Sequence, residues 1–192
     1  MNLKTVREKA FQWRGGVWTL LFVLIFLLAR PTRRSVLLGL LPVIAGQGLR
    51  FWAVGCIGRY RGEHVGAEAL VTWGPYAFVR NPLYVGNGFI GLGWGIMAGP
   101  WATLAFVATF FLLYTVLIVP HEEAFLLEKF GPAYDRYRDA TGRFFPGRWP
   151  GKDSMTGAFD GRVLWVSERH SLLTTVGGTL LILGKSLWGY FL

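Results

Sequence analysis

The sequence predicts an all-α integral membrane protein with about five transmembrane helices and a cytoplasmic helical segment. Three observations lead to this class. Hydrophobic residues make up 53% of the 192 residues and charged residues only 16%, whereas soluble domains carry roughly a quarter charged residues. The apolar residues occur in runs long enough to span a membrane, and the basic residues flank those runs. A chain of this length suits a single domain, residues 1–192.

Five apolar runs form the predicted spans, because a spanning helix needs about 20 mostly apolar residues. Prolines or glycines bound several of them, and Pro120 is predicted to end the fourth span and open the next helix. In the last run, the helix is predicted to end before Lys185. The spans are Gly15 to Ala29, Ser35 to Ile57, Pro82 to Ala98, Trp101 to Val119 and Leu172 to Leu192.

Lys and Arg residues are distributed unequally between the two sides of the predicted membrane. Fifteen lie in the N-terminal tail, the loop after the second span and the polar stretch 121–170, against three in the loop after the first span. Because cytoplasmic loops carry the excess of Lys and Arg, these segments are predicted to face the cytoplasm, as in a bacterial or archaeal inner membrane. The net charge of +9 is typical of membrane-side anchors when it flanks apolar runs, so membrane lipids and no nucleic acid are the predicted partners.

Two of the cytoplasmic segments carry unusually varied polar chemistry. The first reads GPYAFVRNPLYVGN, residues 74–87, and lies where the chain re-enters the membrane. The second begins after Pro120 with two adjacent carboxylates, Glu122 and Glu123. Acidic residues in the first turn of a helix are favourable on their own, which would explain the pair as a solvated helix start. Their position at the membrane boundary, where an acid is costly unless partnered, favours a site instead.

Taken in order, these motifs carry a resemblance to a known family. The sequence RNPLY at residues 80–84 is followed by a Gly-rich helix, a hairpin of spans, Glu122-Glu123 and TGRFFP at residues 141–146. This series resembles the isoprenylcysteine carboxyl methyltransferase and phospholipid methyltransferase superfamily of integral membrane enzymes. The resemblance covers roughly residues 64–146 and leaves the last span, about 172–192, outside it. Asn81 stands where the family usually has a histidine, and an asparagine cannot titrate or act as a base.

The resemblance implies that S-adenosylmethionine binds between the membrane helices and the polar segment. Glu122 or Glu123 is expected to pair with its ammonium group, and backbone amides at the start of the third span to bind its carboxylate. Gly91 and Gly93 resemble a cofactor-binding Gly-x-Gly, although small residues at such spacings also pack membrane helices together. The predicted catalytic residues are Arg80, Asn81 and Tyr84. The predicted cofactor-binding residues are Asn81, Pro82, Leu83, Tyr84, Gly91, Gly93, Glu122 and Glu123.

The isolated histidines His64, His121 and His170 do not have metal-ligand spacing, and no metal is predicted. Two cations fall within apolar runs. Arg50 either snorkels to the cytoplasmic side or contacts an acidic lipid or the site, and Lys185 is expected beyond the end of its helix.

The acceptor is expected to be lipophilic, because a pocket among spanning helices opens to lipid. A phospholipid amine, a prenylated cysteine carboxylate, or another hydrophobic acid, phenol or thiol all fit, and the sequence does not distinguish them or predict an oligomeric state. Two alternatives stay open. A membrane sterol-type reductase would bind NADPH through the basic segment 136–148, and a scaffold without activity would account for Asn81.

Overall fold

The computed structural model of the protein describes residues 3–57 and 69–188. Helices dominate both ranges, and the β-type pairing within them is an isolated parallel bridge between Val79 and Gly142. The all-α prediction is therefore confirmed. Arg59, Arg61 and His64, and the last four residues of the predicted fifth span, lie outside the described residues.

The first half of the chain forms two long helices, a single helical turn and a third long helix. Helix α1 (Leu3–Leu28) and helix α2 (Arg33–Ile57) are long enough to cross a membrane. A single turn, α3 (Pro75–Phe78), precedes α4 (Pro82–Ala98), and Pro82 occupies the first turn of α4, where a missing N–H costs nothing. Gly99, at φ 122°, makes the tight reversal into the next helix, and few residues other than glycine adopt that conformation.

The helix after this reversal does not break at Pro120, so that prediction is wrong. Helix α5 (Pro100–Phe110) continues through a π-helical stretch (Phe111–Ile118) into α6 (Val119–Phe130). The Val119 N–H donates to Tyr114 O, five residues back, which is the π pattern. Because this wider turn directly precedes Pro120, the missing proline N–H is accommodated and the chain stays helical.

The polar segment 121–170 contains two short helices, α7 (Pro132–Ala140) and α8 (Lys152–Met155). The final helix, α9 (Arg162–Trp188), begins ten residues before the predicted span and includes Lys185. The prediction that the helix ends before this lysine is therefore wrong. Lys185 Nζ donates to Phe26 O and Leu27 O at 2.7 and 2.9 Å. Both carbonyls lie in the last turn of α1, where a cation is stabilising.

Three helical stretches in the described residues are long and apolar enough to span a membrane: Thr5–Leu28, Arg33–Ile57 and Pro100–Phe130. Their outward faces expose large aliphatic and aromatic side chains, such as Leu20, Leu41 and Phe111, as expected of surfaces that contact lipid. The predicted spans in α4 and α9 remain predictions, so the membrane class is confirmed and the count of five is not.

Helices α2 and α4 pack with their backbones almost in contact. A Cβ atom built on Gly93 would lie 2.5 Å from Gly39 O, and one built on Gly46 would lie 2.6 Å from Gly86 O. Small residues at these positions let membrane helices approach closely enough for strong van der Waals attraction. This interface holds the start of α4, and with it the RNPLY motif, at a fixed position against α2.

Candidate active site

A cavity of about 1000 Å³ opens among α1, α4 and α9 and reaches the polar segment 121–170. The end of the cavity near this segment is lined by polar and aromatic groups, including Arg80, Tyr84 and Glu122. The deeper end of the cavity is lined by apolar groups such as Ile25, Phe106 and Leu181. The cavity therefore has one polar end and one apolar end, and the RNPLY motif forms part of the polar wall.

Arg80 joins the two polar segments that the sequence singled out, residues 74–87 and the stretch that follows Pro120. Its Nε and Nη2 donate to Glu123 Oε1 at 3.0 and 2.8 Å. Its Nη1 donates to Arg138 O at 2.9 Å and also to Thr141 O. All three guanidinium nitrogens therefore donate hydrogen bonds to protein groups. These contacts join the RNPLY motif in the cavity wall to Glu123 and to the backbone at Arg138 and Thr141, and this junction is called the clamp below.

Glu123 is the centre of this clamp. The residue is buried, and its second oxygen accepts from Arg143, a residue of the predicted TGRFFP motif. The backbone supports the same junction, because the Arg80 N–H donates to Gly142 O at 2.8 Å. A carboxylate held by two guanidinium groups is well compensated for its burial.

Glu122 and Glu123 face different surroundings although they are neighbours. Glu122 lines the cavity and lies in hydrogen-bond contact with the Tyr84 hydroxyl. Glu123 does not line the cavity and points into the arginine clamp. Successive residues on a helix are about 100° apart, which is enough to send the two carboxylates to different sides. Glu122 is therefore the member of the pair available to a bound ligand.

The N-terminus of α4 brings the rest of the RNPLY motif to the cavity. Asn81 is the N-cap residue; its Nδ2 donates to Arg143 O at 3.2 Å, and its own carbonyl accepts from Tyr84 and Val85. Asn81, Pro82 and Leu83 all line the cavity. The asparagine thus ties the motif to the polar segment 121–170 by a hydrogen bond that needs no titratable group.

The two glycines that were predicted to bind the cofactor, Gly91 and Gly93, lie in different surroundings. Gly91 lines the cavity and lies under the ring of Phe106, which a Cβ would meet at 2.0 Å. Gly93 lies in the α2–α4 interface against Gly39 and Val43, away from the cavity lining. The contacts of Gly93 are those of helix packing, and those of Gly91 shape the cavity wall.

Two tyrosines of the polar segment 121–170 are buried beside the clamp. The Tyr137 hydroxyl donates to Tyr76 O at 2.8 Å and ties α7 to α3. Burial is the main cause that raises the pKa of Tyr134 to about 12, with a contribution from Glu123, and burial raises the pKa of Tyr137 as well. Both hydroxyls are therefore protonated at neutral pH.

A buried ion pair deeper in the bundle was not predicted. Arg50 of α2 donates through Nε and Nη2 to Glu168 of α9 at 3.0 and 2.9 Å, and Glu168 is 0% exposed. Arg50 also donates to Asn87. The prediction that Arg50 snorkels is wrong, because its side chain is only 6% exposed and pairs with Glu168 inside the bundle. The available signal was an acidic residue, Glu168, six residues into the final helix.

Residues 35–133, more than half of the chain, match the family model described as phospholipid methyltransferase. The chain belongs to the phospholipid methyltransferase family. The matched region of this family member contains α2, α4 and the two carboxylates of α6, and it ends before the TGRFFP motif and α9.

Curated relatives of this phospholipid methyltransferase family member fall into two groups. The cobalt-zinc-cadmium resistance protein of Cupriavidus metallidurans is 30% identical over 183 residues, 90% of this chain and 78% of the relative. The nickel-cobalt-cadmium resistance protein of Alcaligenes xylosoxydans xylosoxydans is 33% identical over 146 residues, 69% of this chain and 64% of the relative. The protein-S-isoprenylcysteine O-methyltransferase of Schizosaccharomyces pombe is 40% identical over 70 residues, 36% of this chain and 29% of the relative. No solved structure matches the chain significantly.

The described residues of this family member contain no group of three or more His, Cys, Asp and Glu side chains arranged to hold a metal ion. His170 lines the cavity, whereas His121 packs its ring against Phe11, with 5.5 Å between the ring centroids.

Proposed function

We propose that the protein transfers a methyl group from S-adenosylmethionine to a lipophilic acceptor, with the cofactor bound at the cytoplasmic end of the cavity. The observation that carries this proposal is the position of Glu122, a carboxylate in the wall of a large cavity, beside Tyr84 of the RNPLY motif. The family membership supports the same reaction class.

The residues present fit this cofactor in charge and size. Glu122 is an anionic partner for its ammonium group, and the N-terminus of α4, at Pro82 and Leu83, attracts its carboxylate. Trp73 and Tyr76 line the same end of the cavity and offer aromatic faces to a cationic or planar group. Ligand pockets measure about 300–1000 Å³, so a cavity of about 1000 Å³ has room for a cofactor together with part of an acceptor.

Bound S-adenosylmethionine would supply an activated methyl group on a sulfonium, which is transferred by in-line displacement. The protein's own contribution is alignment and the exclusion of water. The clamp of Arg80 and Glu123 fixes the cytoplasmic segment over the polar end of the cavity, and the α2–α4 interface fixes the start of α4. Asn81 contributes a hydrogen bond that positions these segments, and no proton transfer is assigned to it.

The acceptor is proposed to be lipophilic because of the deeper half of the cavity. Leu21, Ile25 and Phe106 belong to one buried apolar cluster and line this half. An acceptor with a hydrocarbon tail would place the tail there and its reacting group toward the polar end. The cytoplasmic orientation proposed for the polar end rests on the distribution of Lys and Arg.

Calorimetric titration of the detergent-purified protein with S-adenosylmethionine tests this proposal, with NADPH titrated alongside. Saturable binding of the methyl donor alone, followed by transfer of its labelled methyl group into a membrane lipid extract, is the expected result. Binding of NADPH alone would instead indicate a membrane sterol-type reductase. Binding of neither ligand by protein that is folded in lipid and in detergent would support the scaffold without activity.

A second candidate role comes from the resistance-protein relatives, whose matches extend well beyond the family-model region. We infer that the same methyl transfer contributes to tolerance of divalent transition metals by modifying a membrane component. Expression of the protein in a bacterial host grown on graded cadmium tests this role. Glu122→Gln, which removes the proposed cofactor contact, is expected to abolish any gain in tolerance, and a gain that survives this change would separate tolerance from methyl transfer.

A further inference from the structure

The wall at the middle of the cavity contains a chain of hydrogen bonds, buried at the Arg50–Glu168 end and part-buried at Asn87 and Tyr114, that the proposed function does not use. The chain begins at the ion pair of Glu168 and Arg50 and passes to Asn87. Asn87 Nδ2 then donates to the Tyr114 hydroxyl at 3.1 Å, and Trp18 Nε1 donates to the same oxygen at 2.7 Å. Four helical elements besides α9 therefore meet at this chain: α1, α2, α4 and the π-helical stretch.

The buried charges fix the direction of every hydrogen bond in this chain. Arg50 has donors only, so Asn87 must turn its amide oxygen toward Arg50 and its amide nitrogen toward Tyr114. Trp18 Nε1 is also only a donor. The Tyr114 oxygen consequently accepts two hydrogen bonds, which occupy both of its lone pairs, and its own proton remains to be donated.

The Tyr114 side chain has little freedom to turn away from the cavity. It is 1% exposed, and its ring packs against Trp18, Tyr84 and Phe110 at centroid distances of 5.5, 4.6 and 4.7 Å. Among the described residues, no protein acceptor contacts its hydroxyl proton. Tyr114 nevertheless lines the cavity together with Trp18 and Asn87. A hydrogen-bond acceptor on a bound molecule is the partner that this arrangement lacks.

The position of this group along the cavity identifies the part of the molecule it would meet. Asn87 lies one helical turn deeper than Tyr84, and Trp94 lies about 15 Å deeper than Tyr84 along α4. The Tyr114 hydroxyl, bonded to Asn87, therefore lies where the polar end of the cavity changes to the apolar end. The reacting head of an acceptor with its tail in the apolar end would lie at this level.

We propose that Tyr114 binds the head group of the methyl acceptor. Because both lone pairs of its oxygen are occupied, its hydroxyl can only donate to a bound molecule, and it therefore selects a lipophilic carboxylate over a lipophilic amine. This inference rests on the methyl transfer proposed above. One carboxylate oxygen accepts the hydrogen bond of Tyr114 while the other reacts. A neutral amine must use its only lone pair to attack, and it has none left to accept from Tyr114.

The chemistry of a carboxylate acceptor is balanced without a base. A lone pair of its oxygen forms the new oxygen–carbon bond as the carbon–sulfur bond breaks, and the electron pair of the broken bond remains on sulfur. One negative and one positive charge disappear, leaving a neutral ester and a neutral thioether. No proton is released, which agrees with a Tyr114 oxygen that has no lone pair free to accept one.

The test uses the full chain in detergent with two probes, N-acetyl-S-farnesylcysteine as the carboxylate and dioleoylphosphatidylethanolamine as the amine. Binding of each probe is measured by calorimetry without cofactor, and methyl transfer is measured with it. Tyr114→Phe keeps the ring and removes the hydroxyl. Tyr134→Phe is the matched control, because Tyr134 is equally buried but lies outside the cavity lining.

The carboxylate probe is expected to bind and to be methylated in preference to the amine. Tyr114→Phe should raise its dissociation constant and KM by about tenfold to hundredfold, the range for a hydrogen bond to a charged group, while S-adenosylmethionine binding and Tyr134→Phe stay at wild-type values. Asn87→Asp should have a similar effect with Tyr114 intact, because the new carboxylate would accept the Tyr114 proton and turn it away from the acceptor.

Three outcomes would overturn the inference: preference for the amine, an unchanged KM and dissociation constant in Tyr114→Phe, or binding of neither probe by the wild type. A wild type that binds the carboxylate probe through Tyr114 but does not bind S-adenosylmethionine would overturn the proposed function and leave the binding role of Tyr114 standing. The two proposals can therefore fail separately.

Discussion

Arg50 and Glu168 form a two-point ion pair in the interior of the bundle, 118 positions apart in the chain. Both side chains are almost fully removed from solvent, with 6% and 0% of their surfaces exposed. Charges at this depth persist only where they are paired. The pair therefore joins the final helix to α2. It also holds the Asn87 amide with its oxygen toward Arg50 and its nitrogen toward the Tyr114 hydroxyl in the cavity wall.

Replacement of Glu168 by Gln is expected to destabilise the protein strongly. The substitution leaves the Arg50 charge buried without its counter-charge, and breaking a buried ion pair costs about 3–5 kcal/mol. Thermal unfolding in detergent measures the loss. The double variant Arg50→Met with Glu168→Leu should recover much of it, since well-packed apolar residues replace a buried pair with little penalty. A Glu168→Gln protein as stable as wild type would show that the pair does not hold α9 in place.

Replacement of Gly93 by Ala is expected to weaken the α2–α4 interface. The new methyl group would lie 2.5 Å from Gly39 O and 2.6 Å from the Val43 side chain, and overpacking of this kind costs about 1–3 kcal/mol. Gly48→Ala on α2 is the matched control, because nothing lies within 4 Å of the position its methyl group would occupy. The thermal midpoint should fall for Gly93→Ala only. Thermal midpoints that are unaltered in both variants would mean that α2 and α4 can move slightly apart without a loss of stability.

The features that the sequence predicted best depend on local pattern. Long apolar runs identified α2 and α4 almost to the residue, because a run bounded by Pro and Gly defines its own ends. The motif order also placed Arg80 and the glutamate pair in one neighbourhood, and the structure joins Arg80 to Glu123. The prediction that the helix breaks at Pro120 was wrong, because a π-helical turn that accommodates a proline has no signature in the amino-acid composition.

The features that the sequence did not predict depend on tertiary packing. Which of the two adjacent carboxylates lines the cavity is set by the rotation of α6 about its axis, and that rotation follows from contacts with other elements. The partner of Arg50 lies in another helix, with no local pattern to connect the two. Gly91 and Gly93 separate for the same reason, because a two-residue step on a helix turns about 200° and places them on different faces.

Replacement of Glu122 by Gln is expected to weaken S-adenosylmethionine binding by about tenfold to hundredfold with little loss of stability. The carboxylate lines the cavity, and a hydrogen bond between charged groups is worth about 1.5–3 kcal/mol. Glu128→Gln, on the exposed side of the same helix, is the control and should bind the cofactor as wild type does. Calorimetric titration of the three proteins makes the comparison. Equal affinities in all three would remove Glu122 from the cofactor site.

Replacement of Glu123 by Gln is expected to act on stability first and on the site through it. The neutral amide leaves the Arg80 side chain, which is 9% exposed, without its counter-charge and loses the second arginine, Arg143, as a charged partner, so a cost of up to about 3–5 kcal/mol is expected. The control is Asp135→Asn, which removes the ion pair with Arg138. Both side chains of this pair are more than 40% exposed, so its loss should cost under about 1 kcal/mol.

Thermal unfolding and cofactor titration together separate the effect of Glu123→Gln on stability from its effect on the site. Because Glu123 acts as a clamp, its loss should lower the thermal midpoint sharply, and cofactor affinity should fall less than in Glu122→Gln when both are measured below their unfolding range. An unchanged midpoint combined with abolished cofactor binding would instead make Glu123 a direct ligand of the cofactor and reverse the roles assigned to the two carboxylates.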